Sequence, residues 1–269
     1  MKKVLYQKGG TARHCILLSM GKVVMIGHNQ SSTKKIISKC VQENPQIDFL
    51  VVVTKGIYYR KSNVKSISLL LRKASFQFCL RRFFDMLSDR MNETSLINWC
   101  QSRGIKYIET SDINSKKVAS ILRAEEPDLI VSTFTTHIIG LEVMNLSKIA
   151  TIGTHPSKIP EYRGLEVFFW QLANNEVSSA ISVFILSNEI DRGHLIAQQE
   201  FLIVPGETVR SLYLKITNLT SEILADTIRK VLENEKIIPI INIHKKSSYY
   251  PMPTRKAYRK FKQAKKRWA

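Results

Sequence analysis

The stretch 152-IGTHPSKIPEYRG-164 holds the residues best placed to do chemistry. His155 stands directly after a run that predicts a buried strand, 148-KIATIGT-154. Pro156 disfavours a helical conformation at His155, and Pro160 and Gly164 restrict the loop that follows. Ligands bind beyond the carboxyl ends of the strands in an open parallel sheet, so this position presents His155 to a cleft.

A second reactive group, Asp191, lies in the turn 189-EIDRG-193, which also follows a predicted strand. A lone histidine is more often structural than catalytic. A histidine and a carboxylate at one cleft, however, can exchange a proton and orient each other. We therefore predict that His155 and Asp191 are catalytic. The four cysteines show neither Cys-x-x-Cys spacing nor a cluster with histidine, so we predict no metal site.

The elements that position this pair alternate between strand and helix. Apolar β-branched runs predict strands at 22–29, 48–54, 105–110, 128–134 and 148–154. Helices are predicted between them, the first with Ser31 or Ser32 as N-cap and the others at about 94–103, 115–125 and 138–146. The alternation predicts an α/β fold: a Rossmann-like, mostly parallel sheet with helices on both faces.

The chain after this alternation predicts a different arrangement. Residues 180–187 and 194–203 predict a β-hairpin, and 206–234 predict a long amphipathic helix. A very basic helix is predicted within 251–269, with Thr254 as N-cap and Tyr258, Phe261, Ala264 and Trp268 along one side. We expect an N-terminal extension at 1–20, a catalytic domain at 21–244 and a basic tail or helix at 245–269.

Residues 64–92 interrupt the alternation. Their apolar residues approximate helical spacing, with arginines between them: Leu69, Leu70, Phe76, Leu80, Phe83, Phe84 and Leu87. We favour an amphipathic helix packed on the domain. The alternative is an element that binds the acceptor or a membrane surface.

The charge balance points to an anionic partner. Lys and Arg number 41 against 22 Asp and Glu, a formal net charge of +19. Nucleic acid, an anionic membrane surface or an anionic small substrate would each fit this charge. No apolar run approaches the roughly 20 residues of a membrane-spanning helix, and we expect a cytoplasmic protein.

The histidine, loop and aspartate together resemble the 10-formyltetrahydrofolate-dependent formyltransferases. That family includes methionyl-tRNA formyltransferase, glycinamide ribonucleotide transformylase and sugar N-formyltransferases. The resemblance extends from about Gly21 to about Glu233. The residues that carry it are His155, Pro156, Ser157, Ile159, Pro160, Tyr162, Arg163 and Gly164, then Asp191 and Gly193 at the matching distance.

The resemblance implies a mechanism and a set of contacts. An acceptor amine would attack the formyl carbon of 10-formyltetrahydrofolate, with His155 stabilising the tetrahedral oxyanion and Asp191 assisting proton transfer. The formyl donor would bind between two loops, which contribute Phe134, Thr135, Thr136, His137 and Ile138, and Ser187, Asn188, Glu189 and Ile190. For His137, an ordinary polar loop residue is the favoured interpretation. Ser157, Tyr162 and Arg163 would contact the acceptor.

One position departs from the family. Its asparagine, two residues before the histidine, is Gly153 here, so a second hydrogen bond to the oxyanion is lost. A water or backbone donor, a side chain from elsewhere, or altered or lost activity would each fit; we favour an active enzyme.

The expected acceptor is a small anionic amine, with a nucleotide-linked amino sugar first. Methionyl-tRNA and glycinamide ribonucleotide are alternatives. A further alternative is a catalytically impaired protein that binds membrane or nucleic acid through its basic aromatic segments. A homodimer is compatible with the sequence.

Overall fold

A computed structural model describes residues 20–55, 74–92, 95–189, 191, 193–234 and 247–269. Several sequence predictions lie outside these residues: the extension before Met20, Leu69 and Leu70, and Ile190.

The centre of the molecule is a seven-stranded sheet in the order β3-β2-β1-β4-β5-β7-β8. Five of its strands are parallel: β1 (Lys22–His28), β2 (Asp48–Thr54), β3 (Lys106–Thr110), β4 (Leu129–Ser132) and β5 (Ala150–His155). The last two, β7 (Ser178–Ile185) and β8 (Leu195–Leu202), form an antiparallel hairpin against β5. A separate parallel pair joins β6 (Arg163–Gly164) to β9 (Tyr249–Tyr250). The mostly parallel sheet and the hairpin confirm the predicted fold class.

Helices cover both faces of the sheet, as predicted. Their bounds are α1 (Ser31–Glu43), α2 (Phe76–Asn92), α3 (Leu96–Arg103), α4 (Lys116–Glu125), α5 (Leu141–Met144), α6 (Val167–Ala173), α7 (Val209–Asn234) and α8 (Arg255–Gln263). One core cluster joins α1, α3 and α7 to the sheet, and another joins α4 and α5 to its opposite face. Val24 and Val51, on neighbouring strands, are fully buried in different clusters, which explains why these strands read as continuous apolar runs.

Two helix starts differ from the sequence predictions. The N-cap of α1 is Gln30, which makes no side-chain cap hydrogen bond, so the prediction of Ser31 or Ser32 was wrong. Ser32 is buried inside the helix, where its Oγ accepts a 2.6 Å hydrogen bond from Tyr213. The helix predicted at 138–146 begins only at Leu141, because Asn114 holds the preceding loop through the carbonyl of Ile138 and the N–H of Gly140.

The basic C-terminal helix α8 is part of the folded body. Thr254 caps it, as predicted, by accepting a hydrogen bond from the N–H of Ala257. Tyr258 and Phe261 are buried, and Phe261 stacks on Phe169 of α6 with ring centroids 4.9 Å apart. This side of the helix therefore joins an aromatic core, while the cations face outward.

The helix predicted within 64–92 is present as α2, but its apolar stripe faces solvent. Phe76, Leu80, Phe83, Phe84 and Leu87 are all exposed, so the favoured interpretation of these side chains as a packed face was wrong. The anchored face is instead the other one, which carries the buried Phe78 and the ion-paired Arg82. Among the described residues, no helix has the length and apolar character needed to span a membrane.

Candidate functional site

His155 is the last residue of β5 and is 6% exposed. Its Nε2 lies 2.8 Å from the backbone carbonyl oxygen of Tyr162. A carbonyl oxygen can only accept, so Nε2 carries the proton in this contact and the neutral ring has its lone pair on Nδ1. The loop after β5 thus fixes both the orientation and the tautomer of the ring.

Asp191 lies on the Nδ1 side of this ring. Its Oδ2 is 3.6 Å from His155 Nδ1 and accepts a 3.0 Å hydrogen bond from the N–H of Gly164. The backbone of Asp191 is left-handed, with φ of 52°, a conformation that costs energy outside glycine. The structure therefore brings the two predicted catalytic residues together, with Gly164 tying Asp191 to the histidine loop.

At two positions of the motif, only glycine fits without a steric clash. At Gly164, φ is 105° and an added Cβ would lie 2.3 Å from the carbonyl oxygen of Tyr250. At Gly193, an added Cβ would lie only 1.5 Å from the carbonyl oxygen of Ile185. Both loops therefore need glycine to pass close to neighbouring backbone.

Gly153, which replaces the family asparagine, is surrounded by apolar side chains. An added Cβ would lie 2.7 Å from Leu186 Cδ2 and 3.3 Å from Phe184 Cζ. On the opposite side of the strand, the Thr154 hydroxyl is 3.0 Å from that of Thr133, as its alternation from His155 predicts. No amide side chain stands at position 153, and hydrocarbon fills the space beside it.

Of the three residues predicted to contact the acceptor, two have their hydroxyls engaged within the protein. Ser157 is buried and donates to the carbonyl of Glu161 at 2.6 Å. The Tyr162 hydroxyl donates to Glu176 at 2.5 Å and accepts from Asn174 at 2.8 Å. Burial, and after it the hydrogen bond to Glu176, raises the pKa of Tyr162. These two side chains shape the loop.

Arg163 is placed differently. Its guanidinium lies 6.0 Å from the ring centroid of Tyr249, whose side chain is 53% exposed. The β6–β9 pairing makes this contact, since Arg163 pairs with Tyr249 and Gly164 with Tyr250. An arginine beside an exposed aromatic ring is suited to an anionic ligand that also offers a flat ring.

The predicted donor loop after β4 contains a buried histidine pair. His137 is 4% exposed and meets the ring of His28 edge to face, with centroids 5.6 Å apart. His28 contacts the Thr54 carbonyl through Nδ1 and the Thr136 hydroxyl through Nε2, each at 2.9 Å. Burial lowers the pKa of both histidines, and the proximity of His28 lowers that of His137 further. His137 thus lies in the loop, as predicted, but its side chain is buried against His28.

The rest of this loop lies nearer the surface. Phe134 has a left-handed backbone with φ of 46°, and its ring lies 6.0 Å from that of Tyr213. Thr135 is half-buried and accepts a hydrogen bond from the N–H of His137 at 3.1 Å, whereas Ile138 is 60% exposed.

The second predicted donor loop borders a groove of about 830 Å³. The groove runs between α5, the start of β5 and residues 185–188, and its lining includes Leu141, Met144, Leu186, Ser187 and Asn188. Ser187, Asn188 and Glu189 are exposed. Residues 134–138, His155 and Asp191 do not line it. Leu186 nevertheless connects it to the site, because the same side chain reaches Gly153 on β5.

The sequence interpretation missed the contribution of residues 248–250. The Ser248 hydroxyl accepts from the N–H of Tyr162 at 2.8 Å, and the Tyr250 ring stacks on that of Tyr162 at 4.7 Å. A strand of two residues carries no periodic pattern. The only signal was the aromatic pair 249-YY-250 immediately before Pro251.

Among the described residues there is no cluster of side chains that could hold a metal ion.

Comparison with known proteins agrees with this fold. The formyl transferase family model matches residues 20–228. Methionyl-tRNA formyltransferase of Thermotoga maritima is 28% identical over 148 residues, which are 55% of this chain and 47% of the relative. The chain thus aligns with about half the length of that curated relative.

Solved structures share the fold. A sugar N-formyltransferase from Shewanella sp FDAARGOS_354 superposes with a TM-score of 0.59 at 16% identity, covering 91% of this chain and 88% of that one. An N-formyltransferase from Helicobacter canadensis, in complex with folinic acid and dTDP-3-aminofucose, gives a TM-score of 0.56 at 19% identity, covering 85% and 70%. With its family model matched over most of its length and its sheet shared with these enzymes, the chain belongs to the formyl transferase family.

Proposed function

We propose that this protein transfers a formyl group from 10-formyltetrahydrofolate to a primary amine. The observation that carries the proposal is the pair formed by His155 and Asp191, 3.6 Å apart at the carboxyl end of β5 in a formyl transferase fold. A buried histidine of fixed tautomer facing a carboxylate is suited to moving a proton during attack by an amine.

The groove beside residues 185–188 suits the pterin end of the donor. Its volume of about 830 Å³ and its mixed lining of Leu141, Leu186, Ser187 and Asn188 match a flat heterocycle with polar edges. Leu186 links the groove to β5 two residues before His155. When bound, the donor would supply an electrophilic formyl carbon to the acceptor amine. Outside the groove, Phe134, Thr135, Thr136 and Ile138 would contact the rest of the donor from the loop after β4, with the buried His137 supporting them.

His155 and Asp191 would divide the proton handling. Nε2–H of His155 is donated to the Tyr162 carbonyl, which leaves Nδ1 to face the reaction. In the imidazolium form, Nδ1–H can donate to negative charge developing on the formyl oxygen. The Asp191 carboxylate can accept the proton that the attacking nitrogen loses and return it to N10 of tetrahydrofolate as the bond from the formyl carbon to N10 breaks. The Gly164 N–H holds the carboxylate in place. The gap of 3.6 Å would close in the reactive complex.

The reaction would depend unusually strongly on His155. Gly153 offers no side-chain amide, and β5 is paired with strands on both sides, so the backbone N–H at this position lies in the plane of the sheet. A single strong donor in place of two predicts a slow enzyme, since one such donor is typically worth about 10²–10³-fold in rate.

For the acceptor, we propose a nucleotide-linked amino sugar. Arg163 beside the exposed ring of Tyr249 offers a cation for a diphosphate and a flat surface for a base. The Helicobacter canadensis enzyme, whose bound acceptor is such a sugar, supports this choice. Glycinamide ribonucleotide and methionyl-tRNA are the rival acceptors, and the curated relatives favour the second.

The test is the initial rate of tetrahydrofolate formation from 10-formyltetrahydrofolate with each acceptor in turn. We expect the highest kcat/KM with a dTDP-linked amino sugar. His155→Ala and Asp191→Asn should each lower kcat by about 10²–10⁴-fold. His194→Ala, which removes an exposed histidine three positions after Asp191, should leave it unchanged. Preference for methionyl-tRNA would overturn the acceptor choice. Failure with every acceptor would favour an impaired protein that only binds.

A further inference from the structure

Helix α2 carries a continuous apolar stripe on its solvent side. Its members are Phe76, Leu80, Phe83, Phe84 and Leu87, exposed by 62%, 43%, 49%, 57% and 37%. At about 100° per residue they fall within one sector roughly 100° wide along about three turns of helix. They are five of the thirteen exposed large hydrophobic side chains in the described chain. A patch of this kind on a soluble protein marks an interaction surface.

The stripe faces outward because the opposite side of α2 is firmly held. Phe78 is 1% exposed and meets the rings of Phe169 and Trp268. Arg82 lies 3.4 Å from Glu166, and Asp85 accepts a 3.0 Å hydrogen bond from the indole N–H of Trp268. With these contacts made, the helix cannot roll to bury the stripe without breaking an aromatic core and an ion pair.

A dense group of cations lies next to this helix. The backbone N–H of Ser75 donates to the carbonyl of Pro253 at 2.9 Å, just before α8, and Trp268 follows α8 in the chain. Helix α8 buries Ala257, Tyr258 and Phe261 and exposes Arg255, Lys256, Arg259, Lys260 and Lys262. Between Lys245 and Ala269 the sequence has ten Lys or Arg and no acidic residue. An apolar stripe and a basic helix are therefore structural neighbours.

We propose that α2 and α8 together dock the protein on an anionic lipid bilayer. Phenylalanine and leucine side chains on one side of a helix insert at the boundary between headgroups and acyl chains. Lysines and arginines beside them are attracted to anionic headgroups. This activity is separate from formyl transfer, since none of these residues belongs to the proposed catalytic site.

The two rival occupants explain less of the surface. A second copy of this chain would bring a net charge of +19 against the same charge, which opposes association. Nucleic acid would bind the cations through its phosphates. Phosphates do not explain why five phenylalanine and leucine side chains are exposed in a row. An anionic bilayer uses both.

The experiment is flotation of the full chain with vesicles of equal parts phosphatidylcholine and phosphatidylglycerol, compared with phosphatidylcholine alone. We expect binding to the anionic vesicles only. Phe83→Ser/Phe84→Ser should weaken it at least about tenfold, because two exposed aromatic rings no longer insert. Arg259→Gln/Lys262→Gln should weaken it about tenfold to thirtyfold. The controls are Val177→Ser/Leu202→Ser, two exposed apolar residues elsewhere, and Lys116→Gln/Lys117→Gln, two exposed lysines on α4. Each should stay within about twofold of wild type.

Several outcomes would overturn the proposal. Absence of flotation with the anionic vesicles would do so, as would flotation that Phe83→Ser/Phe84→Ser leaves unchanged. A dimer that this variant converts to monomer would assign the stripe to a second copy. A melting temperature that the variant lowers in the absence of lipid would assign the stripe to contacts within the chain itself. Equal salt-sensitive binding of RNA by wild type and the stripe variant, without vesicle binding, would assign the basic helix to nucleic acid.

Discussion

At the scale of single residues, the proposed chemistry depends on which nitrogen of His155 is already hydrogen-bonded. The carbonyl of Tyr162 takes the Nε2 proton, and Asp191 stands on the Nδ1 side. The residue types and their spacing predicted this pair, because proline and glycine restrict the loop after β5 and the turn at Asp191 follows a strand. Which nitrogen is hydrogen-bonded could not be predicted from sequence. It depends on where the carbonyl of Tyr162 points, and the backbone of Tyr162 is left-handed, with φ of 54°.

A residue-scale prediction concerns Gly153. Gly153→Asn alone should lower the free energy of unfolding by about 1–3 kcal/mol, because the new side chain must displace Leu186 Cδ2 from a position 2.7 Å from its Cβ. In a Leu186→Ala background the asparagine has room. If a missing amide donor limits the rate, kcat in this double variant should rise about tenfold or more.

The control for Gly153→Asn/Leu186→Ala is Gly153→Ala/Leu186→Ala, which restores space but supplies no amide. Urea unfolding and initial rates on the same preparations separate folding from catalysis. Equal kcat in the two double variants would show that this chain does not use an amide at position 153.

At the scale of elements, most of the fold was predictable and the exceptions share a cause. β2 was predicted at its observed bounds, and the hairpin and long helix α7 were found, because their periodicity is local. The N-cap of α1 and the outward stripe of α2 were missed. In both cases a residue distant in sequence determines the structure. Tyr213 donates a hydrogen bond to the hydroxyl of Ser32, which is then not a cap. Trp268 and Glu166 bind the polar side chains of α2, which turns the apolar stripe outward. Local sequence does not encode these partners.

Helix α8 gives a prediction at this scale. Phe261 is 1% exposed and stacks on Phe169, so Phe261→Ala should lower the free energy of unfolding by about 3–5 kcal/mol. Arg259→Ala, on the exposed face of the same helix, should change it by less than about 0.5 kcal/mol. Chemical denaturation of both variants is the measurement. A small effect of Phe261→Ala would mean that α8 is a dispensable tail.

His28, the last residue of β1, gives a prediction about the pH dependence of stability. Burial holds the pKa of His28 below its ordinary value of 6.5, so the unfolded chain binds this proton more readily than the folded one. The stabilisation is therefore complete above about pH 6.5 and is lost as pH falls below it. The slope contributed by one proton is at most about 1.4 kcal/mol per pH unit.

His28→Asn should flatten the dependence of unfolding free energy on pH between about 5 and 7 relative to wild type. An unchanged slope in His28→Asn would mean that His28 is protonated in the folded protein.

At the scale of the whole molecule, a net charge of +19 predicted an anionic partner but could not choose among partners. The structure sorts the cations by place. Arg163 lies in the loop after β5, beside Tyr249, and the cations of α8 are on a helix that neighbours α2. Two anionic partners, an acceptor and a bilayer, would therefore bind to different parts of the protein surface. Composition alone carries no such positional information.

The central claim is that this chain binds a reduced folate at the loop carrying Asp191, and calorimetry with 5-formyltetrahydrofolate tests it without any choice of acceptor. Wild type should bind in the micromolar range. Asp191→Ala should bind at least about tenfold more weakly, because loss of the hydrogen bond to Gly164 frees the turn that follows the groove-lining residues 185–188. Asp48→Ala, at the amino end of β2, should bind like wild type. No detectable binding by well-folded wild-type protein would contradict the account.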